Sequence, residues 1–339
     1  MTAVERLREA LGLNGLRGVL ICREAELRWV TGGFAGEGLA LVTGSEALLF
    51  TDYRCTSGVP EPGIRLIRCK GSFTRALAEE CLLLGLERLY FPEEQLPVSR
   101  YRRLRDLLDG EIALLPLGKK LQPLMAVKTD AELLLTREAC RVTCDALTAL
   151  LPHLREGITE RRAAAILNAA LFDLGAEGLA FPTMVAFGER TSLCHPMPGE
   201  RPLQTGDAVL VDLGCTVGGF AADFSRVLCL GTPDPELIRL HEAVLAAHKA
   251  AVAALKPGAV GRDIDAAARE TLTALGVSPR YPHATGHGVG TEVHAWPALN
   301  GDSRDALQPG MTVAVEPAVY TMRLGVRLED TLLITPTGS

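Results

Sequence analysis

The segment VLVDLGCTVGGFAADFSRVLCLG, residues 209–231, is mostly apolar yet contains two carboxylates, Asp212 and Asp223. The stretch GCTVGG between them holds three glycines, which favours a β-hairpin with both acids facing one cavity. Two buried carboxylates repel each other, and an unpaired buried charge is strongly destabilising. The pair therefore requires protonation, arginine partners or bound cations, and a divalent metal ion supplies the positive charge most simply.

Further polar groups lie downstream among strand-forming residues. The histidines are His283, His287 and His294 in HATGHGVGTEVHAWP, and the acids are Glu316 in TVAVEPAVY and Glu329 in GVRLEDTLLIT. In the last run, period-two alternation places Arg327, Glu329 and Thr331 on one face of a strand. Four carboxylates and one neutral imidazole would be neutralised by two divalent ions. Oxygen donors with a single nitrogen suit Mn²⁺, Co²⁺ or Zn²⁺.

The composition is that of an ordinary globular protein and limits the classes of partner. The chain has 339 residues, of which 47% are hydrophobic and 22% charged, and its formal net charge is −6. No basic block is present to bind nucleic acid or an anionic membrane. The first residues contain no continuous apolar run and the nine cysteines lack CxxC spacing, so we expect a cytoplasmic protein with reduced thiols.

The hydrophobic pattern divides the chain into two parts. Residues 17–54 alternate short apolar runs with Gly-rich turns and residues 74–108 look helical, which indicates an α/β unit. The segment LPLGKKLQPLMAVKTDAE is the linker candidate, so we predict an N-terminal domain at 1–122 and a second domain at 123–339. Thr129 and Glu132 have the spacing of a capping box. The second domain twice has helices followed by strands, which predicts two similar halves.

These residues resemble the pita-bread metallopeptidases, a family that includes Xaa-Pro aminopeptidase (aminopeptidase P), Xaa-Pro dipeptidase (prolidase) and methionine aminopeptidase. The resemblance covers essentially the whole chain, from VKTDAELLLTREAC through GAEGLAFPTMVAFGERTSLCHPMPGERPLQTGDAVLVDLG to GVRLED. It implies an α+β pita-bread catalytic domain of two similar halves, preceded by a smaller α/β creatinase-like domain. It also implies two bound divalent ions, Mn²⁺ or alternatively Zn²⁺ or Co²⁺. The implied ligands are Asp212, Asp223, His287, Glu316 and Glu329, with Asp223 and Glu329 bridging the ions.

The resemblance also implies roles for residues around the ligands. His195 in LCHPMP, together with His283 and His294, would line the substrate site, and Arg327 would brace Glu329. A hydroxide held between the metal ions would attack the peptide carbonyl, and Glu316 would accept its proton. His195 and His294 would stabilise the oxyanion and help to protonate the leaving nitrogen. Trp29 and Phe34, in RWVTGGFAGEG, would form a substrate-side wall at the active site of a neighbouring subunit, which implies a homodimer. The alternative is that these two residues are ordinary core or turn aromatics.

Within the family, the N-terminal domain favours a Xaa-Pro enzyme, because methionine aminopeptidases lack that domain. Ala298 stands where prolidase-like relatives can place a cation for the substrate carboxylate. We therefore expect an aminopeptidase that releases the N-terminal residue from peptides with proline in the second position. Xaa-Pro dipeptidase is the alternative, with Arg304 or Arg323 as a substitute cation. A metal-free binding protein of this fold and a metal-free creatinase-like hydrolase are disfavoured by the intact ligand set.

Overall fold

The computed structural model describes residues 1–34, 36–55, 62–278 and 281–339. The chain forms two compact units, Met1–Met125 and Ala126–Ser339. The boundary expected between residues 122 and 123 falls within the helix Leu121–Ala126. In the described part of the chain, no helix is long and apolar enough to cross a lipid bilayer.

The N-terminal unit is built around one six-stranded mixed sheet. Its elements are α1 (Ala3–Leu11), β1 (Arg17–Ile21), α2 (Glu24–Thr31), β2 (Leu39–Thr43), β3 (Ala47–Thr51), β4 (Arg65–Arg68), α3 (Phe73–Leu83), β5 (Arg88–Phe91), α4 (Val98–Leu108), β6 (Ala113–Pro116) and α5 (Leu121–Ala126). The strand order is β4-β3-β2-β1-β5-β6. The pairs β1–β2 and β2–β3 are antiparallel, and the pairs β1–β5, β3–β4 and β5–β6 are parallel.

Both faces of this sheet are covered, as the apolar strands require. In β1, Val19 and Ile21 pack into one hydrophobic cluster and Leu20 packs into another. A strand buried on both faces has apolar residues at successive positions rather than an alternating pattern. The expected α/β unit is therefore confirmed, but residues 74–108 are not continuously helical, because β5 lies between α3 and α4.

The C-terminal unit contains two successive sets of helices followed by strands. The first set is α6 (Asp130–Leu150), α7 (Glu160–Asp173), β7 (Gly178–Leu179), β8 (Met184–Phe187), β9 (Ala208–Leu213), β10 (Cys215–Val217), β11 (Phe220–Ala221) and β12 (Phe224–Cys229). The second set is α8 (Pro235–Ala254), α9 (Gly261–Ala274), β13 (Gly286–Gly288), β14 (Ala295–Leu299), β15 (Thr312–Val315), β16 (Ala318–Tyr320), β17 (Gly325–Arg327) and β18 (Asp330–Leu333). The expected order of two similar halves is confirmed.

Local sequence signals account for the start of this unit. The Thr129 hydroxyl accepts a hydrogen bond from the Glu132 amide, and the Glu132 carboxylate accepts one from the Thr129 amide, which is the predicted capping box. The first half contains two three-stranded sheets, with orders β12-β9-β8 and β11-β10-β7. The second half contains a four-stranded sheet, with order β14-β13-β15-β18, and the two-stranded sheet β16-β17. An isolated antiparallel bridge between Ser225 and Glu329 joins strand segments of the two halves. The halves therefore meet next to the acidic residues singled out in the sequence.

Candidate metal centre

A hairpin region presents Asp212 and Asp223 side by side. Asp212 is the fifth residue of β9, a strand whose six residues are all buried, and Asp223 directly precedes β12. β9 and β12 pair antiparallel with Asp212 opposite Ser225. The short strands β10 and β11, which pair antiparallel with each other, connect them. Both carboxylates are buried, with 4% and 5% of each residue exposed.

The second half contributes the other three expected ligands from adjacent strands. His287 is the central residue of β13, Glu316 follows β15 and Glu329 precedes β18. β15 pairs antiparallel with both β13 and β18, so the three residues arise from one sheet. The Glu329 amide donates to the Ser225 carbonyl at 3.1 Å, which fixes Glu329 beside the acids of the first half.

The side-chain donor atoms of these five residues converge. In each of three groups of residues, the donor atoms of that group lie within 4.8 Å of one another. The groups are Asp212 with Asp223 and Glu329, His287 with Glu316 and Glu329, and Asp223 with His287 and His294. The Nε2 atom of His287 is 3.5 Å from an Asp223 oxygen and 3.7 Å from a Glu316 oxygen. The structure thus brings all five ligand candidates together, and it adds His294 at their edge.

The protein alone does not compensate the charge of this cluster. Burial, followed by repulsion from Glu329 and other neighbouring carboxylates, raises the pKa of Asp223 and of Glu316 well above the usual range. Burial and repulsion from Asp212 raise the pKa of Glu329 to about 8. Burial lowers the pKa of His287 to about 4, so its imidazole is neutral and can act as a ligand. The buried carboxylates therefore favour bound protons or bound cations, either of which would reduce their mutual repulsion.

Arg327 is the cation built into the cluster. Its guanidinium donates to Asp212, to the Ser225 hydroxyl at 3.1 Å, to the Tyr320 hydroxyl at 2.5 Å and to the Cys194 carbonyl at 2.9 Å. Burial alone would lower the pKa of Arg327, but Asp212 and other acidic neighbours outweigh it and raise that pKa. The Ser225 hydroxyl also donates to Glu329 at 2.9 Å. Arg327 therefore reaches Glu329 through Ser225 and contacts Asp212 directly.

The donor set fits a centre for divalent ions. Four carboxylates with one neutral imidazole are hard ligands of the kind that Mn²⁺, Zn²⁺ or Co²⁺ accepts. One oxygen of Asp212, Oδ1, is buried without a hydrogen-bond partner, although Oδ2 is bonded to Arg327. Buried polar atoms without partners are uncommon in folded proteins. A metal ion would satisfy this oxygen.

The three histidines expected at the substrate site lie at different distances from the acids. His283 approaches Glu316 at 3.5 Å, and its Nε2 atom lies 3.1 Å from the Tyr320 hydroxyl. The rings of His287 and His294 are T-shaped with centroids 4.5 Å apart. His195 is exposed. Burial, with a smaller contribution from His195, lowers the pKa of both His283 and His294.

Two supporting residues were missed in the sequence. Ser225 links Arg327 to Glu329, and Tyr320 links Arg327 to His283. Strand alternation was sufficient to find Ser225, because it lies two residues after Asp223 and on the same face. Nothing local in AVY distinguishes Tyr320 from a packed aromatic residue.

Other residues behave as packing groups. Trp29 and Phe34 are buried in a hydrophobic cluster of the N-terminal unit, as the core alternative holds, and their role beside a neighbouring subunit stays a prediction. His248, on α8, is a buried histidine outside the metal centre. It is 8% exposed and lies 3.2 Å from Asp330, because α8 packs its inner face onto the sheet of the second half.

A two-half unit with a buried carboxylate and histidine centre defines the class as a metal-dependent hydrolase of the pita-bread fold. Residues 135–336 match the family model of "Metallopeptidase family M24", and residues 4–126 match that of "Creatinase/Prolidase N-terminal domain". The chain belongs to metallopeptidase family M24. The resemblance seen in the sequence and the fold expected from it are confirmed.

Solved and curated relatives span the whole chain. A structure titled "Xaa-Pro dipeptidase from Bacillus anthracis" superposes with a TM-score of 0.92 at 30% identity, covering 99% of this chain and 95% of that one. The crystal structure of the X-Pro aminopeptidase from Thermotoga maritima MSB8 superposes with a TM-score of 0.89 at 28% identity, covering 97% of this chain and 96% of that one. A curated protein of Pyrococcus horikoshii named "Xaa-Pro dipeptidase" is 29% identical over 348 residues, which cover 99% of this chain and 95% of its own.

Proposed function

We propose that this protein is a metal-dependent Xaa-Pro dipeptidase that hydrolyses dipeptides with a C-terminal proline. The observation that carries the proposal is the convergence of Asp212, Asp223, His287, Glu316 and Glu329 in one buried cluster. Support for the substrate class comes from relatives of similar length that are named Xaa-Pro dipeptidase. These names favour the dipeptidase alternative over the aminopeptidase that the sequence analysis preferred.

The five clustered residues would hold two divalent ions, of which we propose Mn²⁺. When bound, such ions lower the pKa of water towards neutrality and polarise a carbonyl. The chain's own groups then direct the reaction. Glu316 lies at the edge of the set beside His283 and His287, where its carboxylate can take up a proton from the attacking water. Of the four carboxylates, Asp223 and Glu329 are the two that belong to two donor groups each. His287 also belongs to two, but a carboxylate has two oxygens to share between ions, so Asp223 and Glu329 would take the bridging positions.

The histidines supply hydrogen-bond donors around the substrate. Because burial lowers the pKa of His283 to about 4 and that of His294 below its usual value, both rings are neutral near pH 7 and each retains one N–H group. His294 is at the exposed rim of the cluster, where it can stabilise the developing oxyanion. The proline nitrogen has no N–H in the peptide, so the proton that Glu316 takes from water must reach this nitrogen as the bond breaks, and we assign that transfer to His195.

Two observations favour the aminopeptidase as a second candidate. Ala298 lies opposite His287 in the β13–β14 pair and carries no charge to bind a substrate carboxylate. A longer peptide would need no cation at that position. The superposition on the X-Pro aminopeptidase of Thermotoga maritima is also close, with a TM-score of 0.89.

The two candidates differ in the peptide length they accept. With Mn²⁺ added, the dipeptidase proposal predicts cleavage of Gly-Pro and no cleavage of Gly-Pro-Ala, measured as release of glycine. Cleavage of the tripeptide alone would replace the proposal with the aminopeptidase. Cleavage of neither peptide would refute both. Glu329→Gln, which keeps the shape of the side chain and removes its charge, serves as the inactive control.

The homodimer implied by the resemblance is also part of the proposal. Light scattering of the purified protein during size-exclusion chromatography is expected to give twice the chain mass of 36.2 kDa. A mass of one chain would contradict it.

A further inference from the structure

A buried polar network connects helix α9 to the segment that carries His283. Asp265, on α9, is 4% exposed. Its Oδ1 atom accepts a hydrogen bond from the Thr285 hydroxyl at 2.5 Å, and its Oδ2 atom accepts one from the Arg269 Nε at 2.8 Å. Because the Thr285 proton points to Asp265, the Tyr281 hydroxyl donates to Thr285. One buried carboxylate thus holds two side chains from different elements.

Arg269 holds the same segment at a second point. Its Nη2 atom donates to the His283 carbonyl at 3.0 Å, and its guanidinium lies over the Tyr281 ring at 3.9 Å. The Tyr281 ring in turn contacts the His283 ring, with centroids 5.0 Å apart. The backbone and the ring of His283 are therefore both in contact with groups fixed by α9.

The backbone of Thr285 continues into the candidate metal centre. Its amide donates to the Leu299 carbonyl at 2.9 Å, and its carbonyl accepts from the Glu316 amide at 2.7 Å. Both hydrogen bonds use only backbone atoms of Thr285, so a substitution of its side chain keeps the donor and acceptor groups of both bonds. The side-chain bonds to α9 can therefore be tested separately from the metal centre.

We propose that Asp265, Arg269 and Thr285 are positioning residues that hold His283 in the orientation in which it contacts the substrate. This proposal rests on the proposed function for the identity of the substrate. A buried ion pair adds little net stability compared with apolar packing, so stability alone does not account for a buried Asp265. A fully bonded polar network does fix one arrangement of the groups attached to it. In this network, the group held in one arrangement is His283, through its carbonyl and its ring.

The test uses conservative variants of the full-length protein loaded with Mn²⁺. Thr285→Val keeps the side-chain shape and removes the hydroxyl, whereas Thr285→Ser keeps the hydroxyl. Arg269→Lys keeps the charge and loses the planar fork that reaches Asp265 and His283. The matched control is Asp263→Asn on the same helix, where Asp263 pairs with Arg262 at 3.4 Å and 65% of its side chain is exposed.

We expect Thr285→Val and Arg269→Lys to raise KM for Gly-Pro about tenfold, the usual effect of losing one hydrogen bond to a charged group. The value of kcat and the Mn²⁺ affinity measured by calorimetry should stay within about threefold. Thr285→Ser and Asp263→Asn should match the wild type. Unchanged KM in both Thr285→Val and Arg269→Lys would overturn the proposal. So would a loss of kcat and Mn²⁺ affinity with unchanged KM, because the network would then support the metal centre.

A second readout separates this proposal from the proposed function. It requires no peptide cleavage, and it can be taken on either of the two variants if the other fails to fold. The imidazole NMR signals of His283, recorded on metal-free protein because paramagnetic Mn²⁺ broadens nearby signals, are assigned by their loss in His283→Gln. They should shift in Thr285→Val and Arg269→Lys, and they should not shift in Asp263→Asn. Wild-type protein that binds Mn²⁺ but cleaves no Xaa-Pro peptide would refute the proposed function alone. Unshifted His283 signals in the folded variants would refute the positioning role alone.

Discussion

Removing the buried cation Arg327 is expected to destabilise the C-terminal unit. Arg327 is 2% exposed and donates to four groups, one of which is the buried carboxylate of Asp212. Breaking a buried ion pair by removing one partner costs about 3–5 kcal/mol, because the remaining charge stays buried without compensation. For a unit of this size, 1 kcal/mol corresponds to roughly 2–4 °C in melting temperature. Arg327→Met should therefore lower the melting temperature of the metal-free protein by roughly 6–20 °C.

The assay is thermal unfolding followed by circular dichroism, on protein treated with a chelator so that bound ions do not mask the loss. Arg327→Lys keeps the charge but not the planar fork, so its decrease should be smaller than that of Arg327→Met. Arg323→Met is the matched control, because Arg323 is exposed in the turn between β16 and β17 and should change stability by less than about 0.5 kcal/mol. A melting temperature of Arg327→Met equal to that of the control would refute the reasoning.

Three further outcomes are expected. Asp223→Asn and Glu329→Gln should bind at most one Mn²⁺ per chain by elemental analysis and lose peptide cleavage, whereas two bound ions in either variant would contradict the bridging positions. In the metal-free protein, the pKa values of Asp223, Glu316 and Glu329 are raised. The folded state therefore keeps protons that the unfolded chain releases above about pH 4. The free energy of unfolding should then fall as the pH rises towards 8. Mn²⁺ replaces these protons and should raise the melting temperature more at pH 8 than at pH 5; equal increases would argue against the carboxylate cluster as the binding site. The nine cysteines are free in the structure, so thiol titration in denaturant without reductant should give nine thiols per chain, and a lower count would indicate a disulfide.

The parts of the fold that the sequence predicted are those with strong local signals. The Thr129 and Glu132 capping box gives the start of α6. β5 was missed, since its four residues RLYF are too short for a clear period.

The candidate site divides in a similar way. Its ligand candidates are recognisable because carboxylates in apolar strands, such as Asp212 in β9, are costly without a partner. The contacts that orient them depend on tertiary pairing. Ser225 meets Glu329 only because an isolated bridge joins the two halves, and Asp265 meets Thr285 only because α9 packs beside that segment. Strand alternation can place Ser225 on the face of Asp223, but the long sequence separation of such pairs hides which residue each one contacts.

The most direct test of the central claim is anomalous diffraction from crystals grown with Mn²⁺. We predict two manganese peaks per chain within bonding distance of the cluster formed by Asp212, Asp223, His287, Glu316 and Glu329. Crystals saturated with Mn²⁺ that gave no anomalous peak among these five side chains would contradict the account.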